Sequence, residues 1–238
     1  MLSLVKATAP LQIKAVLEKL PLLEGLNQEA IRELATQSSM MRVSRGALVV
    51  RRGERVPSLY AVAFGQVKTC LPQNGGSEMV LGLLGPGATF GKSTVLLGRP
   101  AQVDVVALDD TMLVAVRAAC VVGLVERNLR FSRNLARALA ERNHVLVGEL
   151  ETSRLRSAQR LAAYLDSIAQ PAAQPGTWAA RLAVSKTLLA SRLGMKKETL
   201  SRLLRELAGG GLIDVAGREI TIRDRLALQR LGASMDAV

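Results

Sequence analysis

Three polar side chains near the C-terminus are spaced to share one face of a helix. Glu198, Ser201 and Arg202 stand at i, i+3 and i+4. Arg can pair with guanine O6 and N7, Glu can accept from cytosine N4, and Ser can bond to either kind of base. These residue types are typical of a recognition helix in the major groove of DNA. The sequence therefore predicts base contacts by these three residues, and an ordinary solvated helix surface is the alternative interpretation.

A helix-turn-helix unit would position this face. Leu188, Leu189 and Leu193 fall at helical spacing, Gly194 ends that helix, and a second helix is predicted from about residue 197 to residue 207. Two short β-type runs on either side of Ala216-Gly217 predict a hairpin that forms a wing. Contacts to DNA phosphates are expected from the residues that flank the recognition face. These residues are Lys186, Lys196, Lys197, Thr199 and Arg205.

The charge is concentrated in the same part of the chain. From Arg127 onward there are 19 Lys and Arg against 10 Asp and Glu, whereas residues 1–126 have 13 against 10. A basic C-terminal half predicts double-stranded DNA as a partner. Anionic lipid is the alternative, but the basic residues follow the helix-turn-helix. Because no apolar run approaches the roughly 20 residues of a membrane span and no signal peptide is evident, we expect a cytoplasmic protein without a membrane partner.

The sequence contains few residues that could support catalysis. There is one histidine, His144, and the two cysteines, Cys70 and Cys120, are not in CxxC spacing. We find no nucleophile motif, no cluster of metal ligands and no phosphate-binding loop of the Walker type. The sequence therefore predicts that the protein is not an enzyme and has neither a catalytic nor a metal site. The cysteines are interpreted as core-packing residues.

Before the helix-turn-helix, the predicted structure changes from helical to β-rich and back to helical. Short helices are predicted for residues 11–20 and 28–35, the latter with Asn27 as N-cap. From Met40 to Val116, short β-type runs alternate with glycines, which predicts an antiparallel roll or barrel. The fold class is therefore α+β, with a β-roll first and a winged helix-turn-helix last.

A long helix is predicted between these parts, from about residue 128 to residue 151. Its apolar stripe has near-heptad spacing, interrupted by Arg142. A long helix with polar residues on its other faces needs a partner, so the sequence predicts a homodimer. The expected interface residues are Leu135, Leu139, Arg142 and Leu146. The predicted domains are residues 1–126 for effector sensing, 127–152 for dimerisation and 153–238 for DNA binding.

Three sequence segments resemble one family of bacterial transcription regulators. RRGERVPSLYAVAFGQVKTC and LGPGATFGKSTVLLGRPAQVDVVA resemble a cyclic-nucleotide-binding β-roll and its phosphate-binding segment, and ETLSR matches the recognition-helix pattern E-x-x-S-R. The chain is similar to the CRP/FNR superfamily, and most similar to its DNR group of nitric-oxide-responsive regulators. This resemblance implies a dimer that reads an inverted repeat of TTGAT-like half-sites, acts on RNA polymerase and responds to a small effector in the roll.

The resemblance also locates an effector pocket, at Gly91, Lys92, Arg99, Pro100 and Ala101. In cyclic-AMP-responsive relatives a Glu stands at the position of Lys92 and receives the ribose hydroxyl, and a hydroxyl residue stands at the position of Pro100. The four cysteines of oxygen-sensing FNR proteins are absent. Two effectors stay open: nitric oxide through haem, with His144 as a candidate ligand, or a cyclic nucleotide in a cyclic-AMP-type activator.

Overall fold

The computed structural model describes residues 2–4, 10–73, 78–153, 156–172 and 177–233. The chain forms two compact units, Met1–His144 and Val145–Val238, and the boundary falls inside one long helix. None of the helices in the described ranges is long and apolar enough to cross a bilayer.

In its described residues, the first unit consists of small helices around nine strands. Its helices are α1 (Pro10–Leu17), α2 (Gln28–Thr36), α3 (Lys92–Leu97), α4 (Ala118–Arg127) and the beginning of α5 (Leu129–Ser153). Its strands are β1 (Leu2–Leu4), β2 (Ser38–Val43), β3 (Leu48–Val50), β4 (Ser58–Phe64), β5 (Val67–Pro72), β6 (Glu78–Leu84), β7 (Thr89–Phe90), β8 (Asp104–Ala107) and β9 (Thr111–Arg117).

These strands form the predicted antiparallel roll. One sheet has the order β1-β2-β9-β4-β7 and the other the order β3-β8-β5-β6. Alternation along β4 distributes its side chains between two cores, because successive residues of a strand point to opposite faces. Leu59 and Ala61 pack with the helices, while Tyr60 and Val62 face the interior between the sheets. The predicted fold class is confirmed.

The helices close one face of the roll. The side chain of Asn27 accepts a hydrogen bond from the Ala30 N–H at 2.9 Å, which is the N-cap predicted for α2. The first turns of α5 bury Phe131 and Leu135 in the same core as Leu59, with exposed fractions of 1% and 4%. The start of α5 therefore belongs to the core of this unit.

The second unit contains the helix-turn-helix. After the end of α5 come α6 (Ser157–Ser167), β10 (Ala169–Pro171), β11 (Trp178–Arg181), α7 (Lys186–Arg192), α8 (Lys197–Gly209), β12 (Ile213–Ala216), β13 (Glu219–Ile222) and α9 (Arg225–Ala233). The predicted hairpin is present as β12 and β13, joined at Gly217 with φ of +65°. The wing is larger than predicted, since β11 and β10 extend it to a four-stranded sheet of order β10-β11-β13-β12.

Candidate nucleic-acid interface and effector pocket

The turn between α7 and α8 fixes the direction of the second helix. The Ser185 side chain caps α7 by accepting from the Leu188 N–H at 3.3 Å. Gly194 takes φ of +61°, a value that favours glycine, and the Met195 N–H then bonds to the Ala190 carbonyl at 3.0 Å. The chain leaves the turn through extended backbone at Lys196 and enters α8. The predicted helix-turn-helix is confirmed.

Helix α8 separates its apolar and polar residues cleanly. Its four inward leucines are 8% exposed or less, namely Leu200, Leu203, Leu204 and Leu207. On the other side, Glu198 and Arg202 are exposed and Ser201 is half-buried. The Arg202 guanidinium lies 3.6 Å from the Glu206 carboxylate, in an exposed pair worth little free energy. Arg202 can therefore leave this partner for a base at small cost.

The residues expected at phosphates surround this face. Lys196, Lys197 and Arg205 are exposed, and Thr199 and Lys186 are half-buried. The Arg205 Nε donates to the Ser201 carbonyl at 3.3 Å, so this guanidinium lies along the same helix as Glu198, Ser201 and Arg202. Cations at the edge of a recognition helix provide attraction to DNA that does not depend on sequence.

One arginine that the sequence analysis gave no role holds the turn in place. Arg160 on α6 donates from Nε to the Leu193 carbonyl at 2.8 Å and from Nη2 to the Gly194 carbonyl at 3.4 Å. These carbonyls belong to the C-terminal end of α7, where backbone acceptors lack intrahelical partners. Arg160 therefore links α6 to the turn that precedes the recognition helix. It lies 33 residues from Leu193, so no local pattern marks it.

A second polar cluster joins α6 to α9 and to the wing. The Asp166 carboxylate accepts from the Arg225 Nε at 2.6 Å and from the Gln229 amide at 3.1 Å, and the Arg225 guanidinium lies 3.7 Å from the Trp178 ring centroid. Burial acts to raise the pKa of Asp166, but hydrogen bonds from Arg225 and Gln229 outweigh it and leave that pKa lowered.

In the first unit, the predicted effector pocket is centred on the start of α3. Gly91 has φ of +87°, and a Cβ there would lie 3.0 Å from the Ser58 carbonyl oxygen, so a side chain does not fit. Lys92 follows, and its Nζ donates to the carbonyl and the hydroxyl of Thr89 at 2.7 and 2.8 Å. Burial, and secondarily the positive charge of Arg142, lower the pKa of Lys92 from 10.5 to about 8.

Arg142, which was expected at the dimer interface, has a contact within its own chain. Its Nη2 donates to the Leu81 carbonyl on β6 at 3.0 Å. The same nitrogen lies 3.9 Å from the point where a Cβ on Gly82 would stand, and the Thr69 hydroxyl lies 3.1 Å from that point. A Cβ on Gly82 would therefore crowd the Thr69 hydroxyl but would make only an ordinary contact with the guanidinium. The positive charges of Lys92 and Arg142 therefore interact within one region of the roll.

Lys92 and Arg142 form what we call the cation cluster, and the remaining predicted pocket residues are not part of it. Arg99 and Pro100 are exposed, and Arg99 forms no hydrogen bond or ion pair with any described residue. Ala101 is 6% exposed and packs in the core between the sheets, with its N–H bonded to the Glu54 carbonyl at 2.8 Å. Ala101 is thus a core residue, because its strand neighbours cover it.

The predicted dimer stripe on α5 divides into a covered and an exposed part. Leu135 is buried in the core of its own unit and Leu139 packs against that core, so neither offers a free apolar side chain. Leu146 is 36% exposed, and Val145 and Val147 are each 48% exposed. The exposed part of this stripe therefore begins at Val145, nearly three helical turns after Leu135.

The exposed histidine and the buried cysteine give no support for a haem site in the described part of the chain. Haem iron takes an axial ligand such as His, Cys thiolate, Met or Tyr. The one histidine, His144, is exposed on α5. Cys70 is 2% exposed, and burial together with Glu78 raises its pKa to about 12, which keeps it a thiol. Within the described ranges, no group of three or more His, Cys, Asp or Glu could hold a metal ion.

Each of the two units matches a known domain family. The profile of a Cyclic nucleotide-binding domain matches residues 40–128, and that of a Crp-like helix-turn-helix domain matches residues 159–231. The chain is 29% identical over 213 residues to the Cyclic AMP receptor protein of Thermus thermophilus, covering 89% of this chain and 96% of that protein. It is 24% identical over 197 residues to the Fumarate and nitrate reduction regulatory protein of Escherichia coli, covering 79% of this chain and 76% of that one.

A solved structure supports the same fold. The structure of a CooA mutant from Carboxydothermus hydrogenoformans has a TM-score of 0.74 and 18% identity, and the match covers 97% of this chain and 98% of that one. The two domain profiles, with relatives that span both domains, decide the assignment. The chain belongs to the CRP/FNR family of transcription regulators, with an effector-binding domain of the cyclic-nucleotide-binding type followed by a DNA-binding helix-turn-helix domain.

Proposed function

We propose that this regulator binds DNA as a homodimer at an inverted repeat of TTGAT-like half-sites. The observation that carries the proposal is the exposed face of α8, which presents Glu198, Ser201 and Arg202 opposite a fully buried leucine face. Arg202 pairs with the half-site guanine and Glu198 with the cytosine opposite it. Two-fold symmetry separates the half-site centres by one helical turn, about 34 Å.

The homodimer is proposed from the exposed residues of α5. Val145, Leu146 and Val147 form a run of apolar residues on a long helix, with exposed fractions between 36% and 48%. A second copy of the helix supplies a matching apolar face, as in other paired long helices. A dimer presents two recognition helices, which an inverted repeat requires. RNA polymerase is the expected partner of the DNA-bound dimer, as the family resemblance implies.

We further propose that the effector is a small molecule with a carboxylate or phosphate group. The pKa of Lys92 is lowered first by burial and then by the positive charge of Arg142, whose guanidinium bonds to β6 of the same roll. A bound anion relieves the repulsion between these two charges. The absence of an acidic residue at position 92 disfavours cyclic AMP, because an ammonium group cannot accept the ribose hydroxyl.

Nitric oxide sensing through haem is the other effector hypothesis, and it rests on the resemblance to the DNR group alone. The exposure of His144 and the burial of the Cys70 thiol do not support it. A visible absorption spectrum of the purified protein separates the two hypotheses. A haem Soret band would contradict the anion proposal, and a colourless protein whose stability rises with added carboxylates would support it.

Selection of bound sequences from a random DNA library tests the DNA proposal. We expect a TTGAT-like inverted repeat. Arg202→Ala should cost about 1–3 kcal/mol on that site and relax the choice of the guanine pair. The matched control is Lys197→Ala, which should weaken all sequences alike and reduce the dependence of affinity on salt. A selected consensus unrelated to TTGAT, or equal effects of the two substitutions on sequence preference, would contradict the assignment.

A further inference from the structure

A cavity that is separate from the Lys92 pocket lies at one end of the five-stranded sheet of the first unit. Its volume is about 460 Å³, and it opens where β2, β4 and β9 meet the start of α4. Among its described lining residues there is no Asp or Glu. Ala118 and Ala119 complete one side, and the polar side chains of the lining are Thr36, Gln37, Ser38, Ser39, Ser58 and Arg117.

Positive charge enters this cavity from two sources. Arg117 is exposed, and its guanidinium has no hydrogen bond or ion pair with another residue in the described part of the chain. Arg117 is also the N-cap of α4, and its side chain does not cap the helix. The Ala118 N–H bonds to the Pro57 carbonyl at 2.9 Å, while the N–H groups of Ala119 and Cys120 have no acceptor among the described residues. Free N–H groups at a helix N-terminus attract anions.

A buried hydroxyl points to the same conclusion independently. Ser58 is 9% exposed, lines the cavity and stands directly opposite Arg117 in the β4–β9 register. Its hydroxyl has no hydrogen-bond partner within the ranges that the structure describes. The neighbouring hydroxyls are already used, since Ser38 donates to the Leu34 carbonyl at 2.7 Å and Thr36 to the Glu33 carbonyl at 2.8 Å. A buried hydroxyl without a partner is costly, so a bound acceptor would stabilise it.

We propose that this cavity, the Arg117 site, binds a small oxyanion, namely a phosphate or carboxylate group of a metabolite. The Arg117 guanidinium pairs with the oxyanion, the Ala119 and Cys120 N–H groups donate to it, and the Ser58 hydroxyl gives a third kind of hydrogen bond. The volume is in the range of small-molecule pockets and exceeds what a bare phosphate fills, so the site has room for the rest of a metabolite. This ligand is distinct from the effector bound at Lys92.

Titration calorimetry with inorganic phosphate at low ionic strength tests the proposal. Because the Lys92 pocket also attracts anions, the titrated protein is the full chain with Lys92→Met. We expect one phosphate site, weakened at least tenfold by Arg117→Gln and several-fold by Ser58→Ala in this background. The matched control is Arg32→Gln, an exposed cation on α2 outside the cavity lining. It should leave the phosphate affinity unchanged.

Thermal unfolding of the same proteins gives the second measurement. Phosphate should raise the melting temperature of the Lys92→Met protein and of its Arg32→Gln derivative, but not that of its Arg117→Gln derivative. Ser58→Ala should be folded without phosphate, because the hydroxyl it removes has no partner in the described structure. Absence of phosphate binding, or equal affinity with and without Arg117, would overturn the proposal and would identify the cavity as an ordinary solvent-filled groove.

Discussion

The buried amine of Lys92 makes the stability of the first unit depend on pH in an unusual direction. Its pKa is lowered from 10.5 to about 8, first by burial and then by the charge of Arg142. Between these two pH values the unfolded chain keeps the proton that the folded protein has released. The unfolded state then binds more protons, so the free energy of unfolding rises as pH increases from about 8 towards 10.5.

The substitution that removes this effect is Lys92→Met, which keeps a long unbranched side chain. One pKa unit corresponds to 1.36 kcal/mol, so the folded protein with charged Lys92 carries a penalty of roughly 3 kcal/mol at neutral pH. Most of it, about 2–3 kcal/mol, is relieved between pH 7 and pH 10. The variant lacks this rise. It also loses the two Nζ hydrogen bonds to Thr89, at about 1 kcal/mol each, so its net gain at pH 7 is about 1 kcal/mol.

Urea denaturation at a series of pH values measures the difference. Because Trp178 is the only tryptophan and lies in the second unit, its fluorescence follows that unit, while far-ultraviolet circular dichroism follows both. The control is Lys19→Met, which removes an exposed lysine from the same unit. If the wild-type protein and Lys92→Met show the same change in stability between pH 7 and pH 10, Lys92 is not desolvated and the electrostatic reasoning fails. A bound anion should also lose affinity as pH rises above about 8.

Three further predictions concern the dimer, the turn and the effector. Leu146→Glu should weaken the dimer by roughly 2–3 kcal/mol, about a hundredfold, because a carboxylate would be buried without a partner. Sedimentation measures the dimer affinity of this variant, with Leu226→Glu as the control. Arg160→Gln should weaken specific DNA binding about tenfold while the dimer persists. Arg160→Lys should not restore the affinity, because a single ammonium cannot reproduce two guanidinium hydrogen bonds. Full rescue by Lys would show that charge alone matters. Cyclic AMP should bind about ten- to a hundredfold more weakly than to a pocket with an acidic acceptor, and calorimetry giving micromolar affinity together with tighter DNA binding would contradict this.

Local signals explain which parts of the fold could be predicted from the sequence. Asn27 before an amphipathic run predicts the start of α2, and Gly194 between two leucine patterns predicts the helix-turn-helix, because caps and turns depend on neighbouring residues. Helix α3 was missed because it has six residues, too few for a periodic pattern, between Gly91 and Gly98. Strand β11 was missed because its partner, β13, lies about 40 residues further along the chain.

The same distinction between local and distant contacts decides which site residues could be predicted. The polar face of α8 could be predicted because its apolar and polar residues lie within one helix, while its contacts to bases stay a prediction. The roles of Arg142 and Arg160 could not, since each is defined by a backbone carbonyl on a distant element, 61 residues away for Arg142 and 33 for Arg160. Leu135 was assigned to the dimer because periodicity indicates that a helix face is covered but does not say by what. In the folded chain it is covered by the core of its own unit.

Helix α5 makes two kinds of contact and then presents an exposed apolar residue. Phe131 and Leu135 pack in the core that the helices share with Leu59, Arg142 bonds to β6, and Leu146 is exposed one turn later. At 1.5 Å per residue, Arg142 and Leu146 are about 6 Å apart along the axis and share one face. An anion that draws Arg142 towards Lys92 therefore acts on the same helical turn that presents Leu146. We infer that effector occupancy and dimer contacts are coupled through this turn, so Arg142→Gln should remove any effect of the anion on dimer affinity while leaving the Leu146 surface intact.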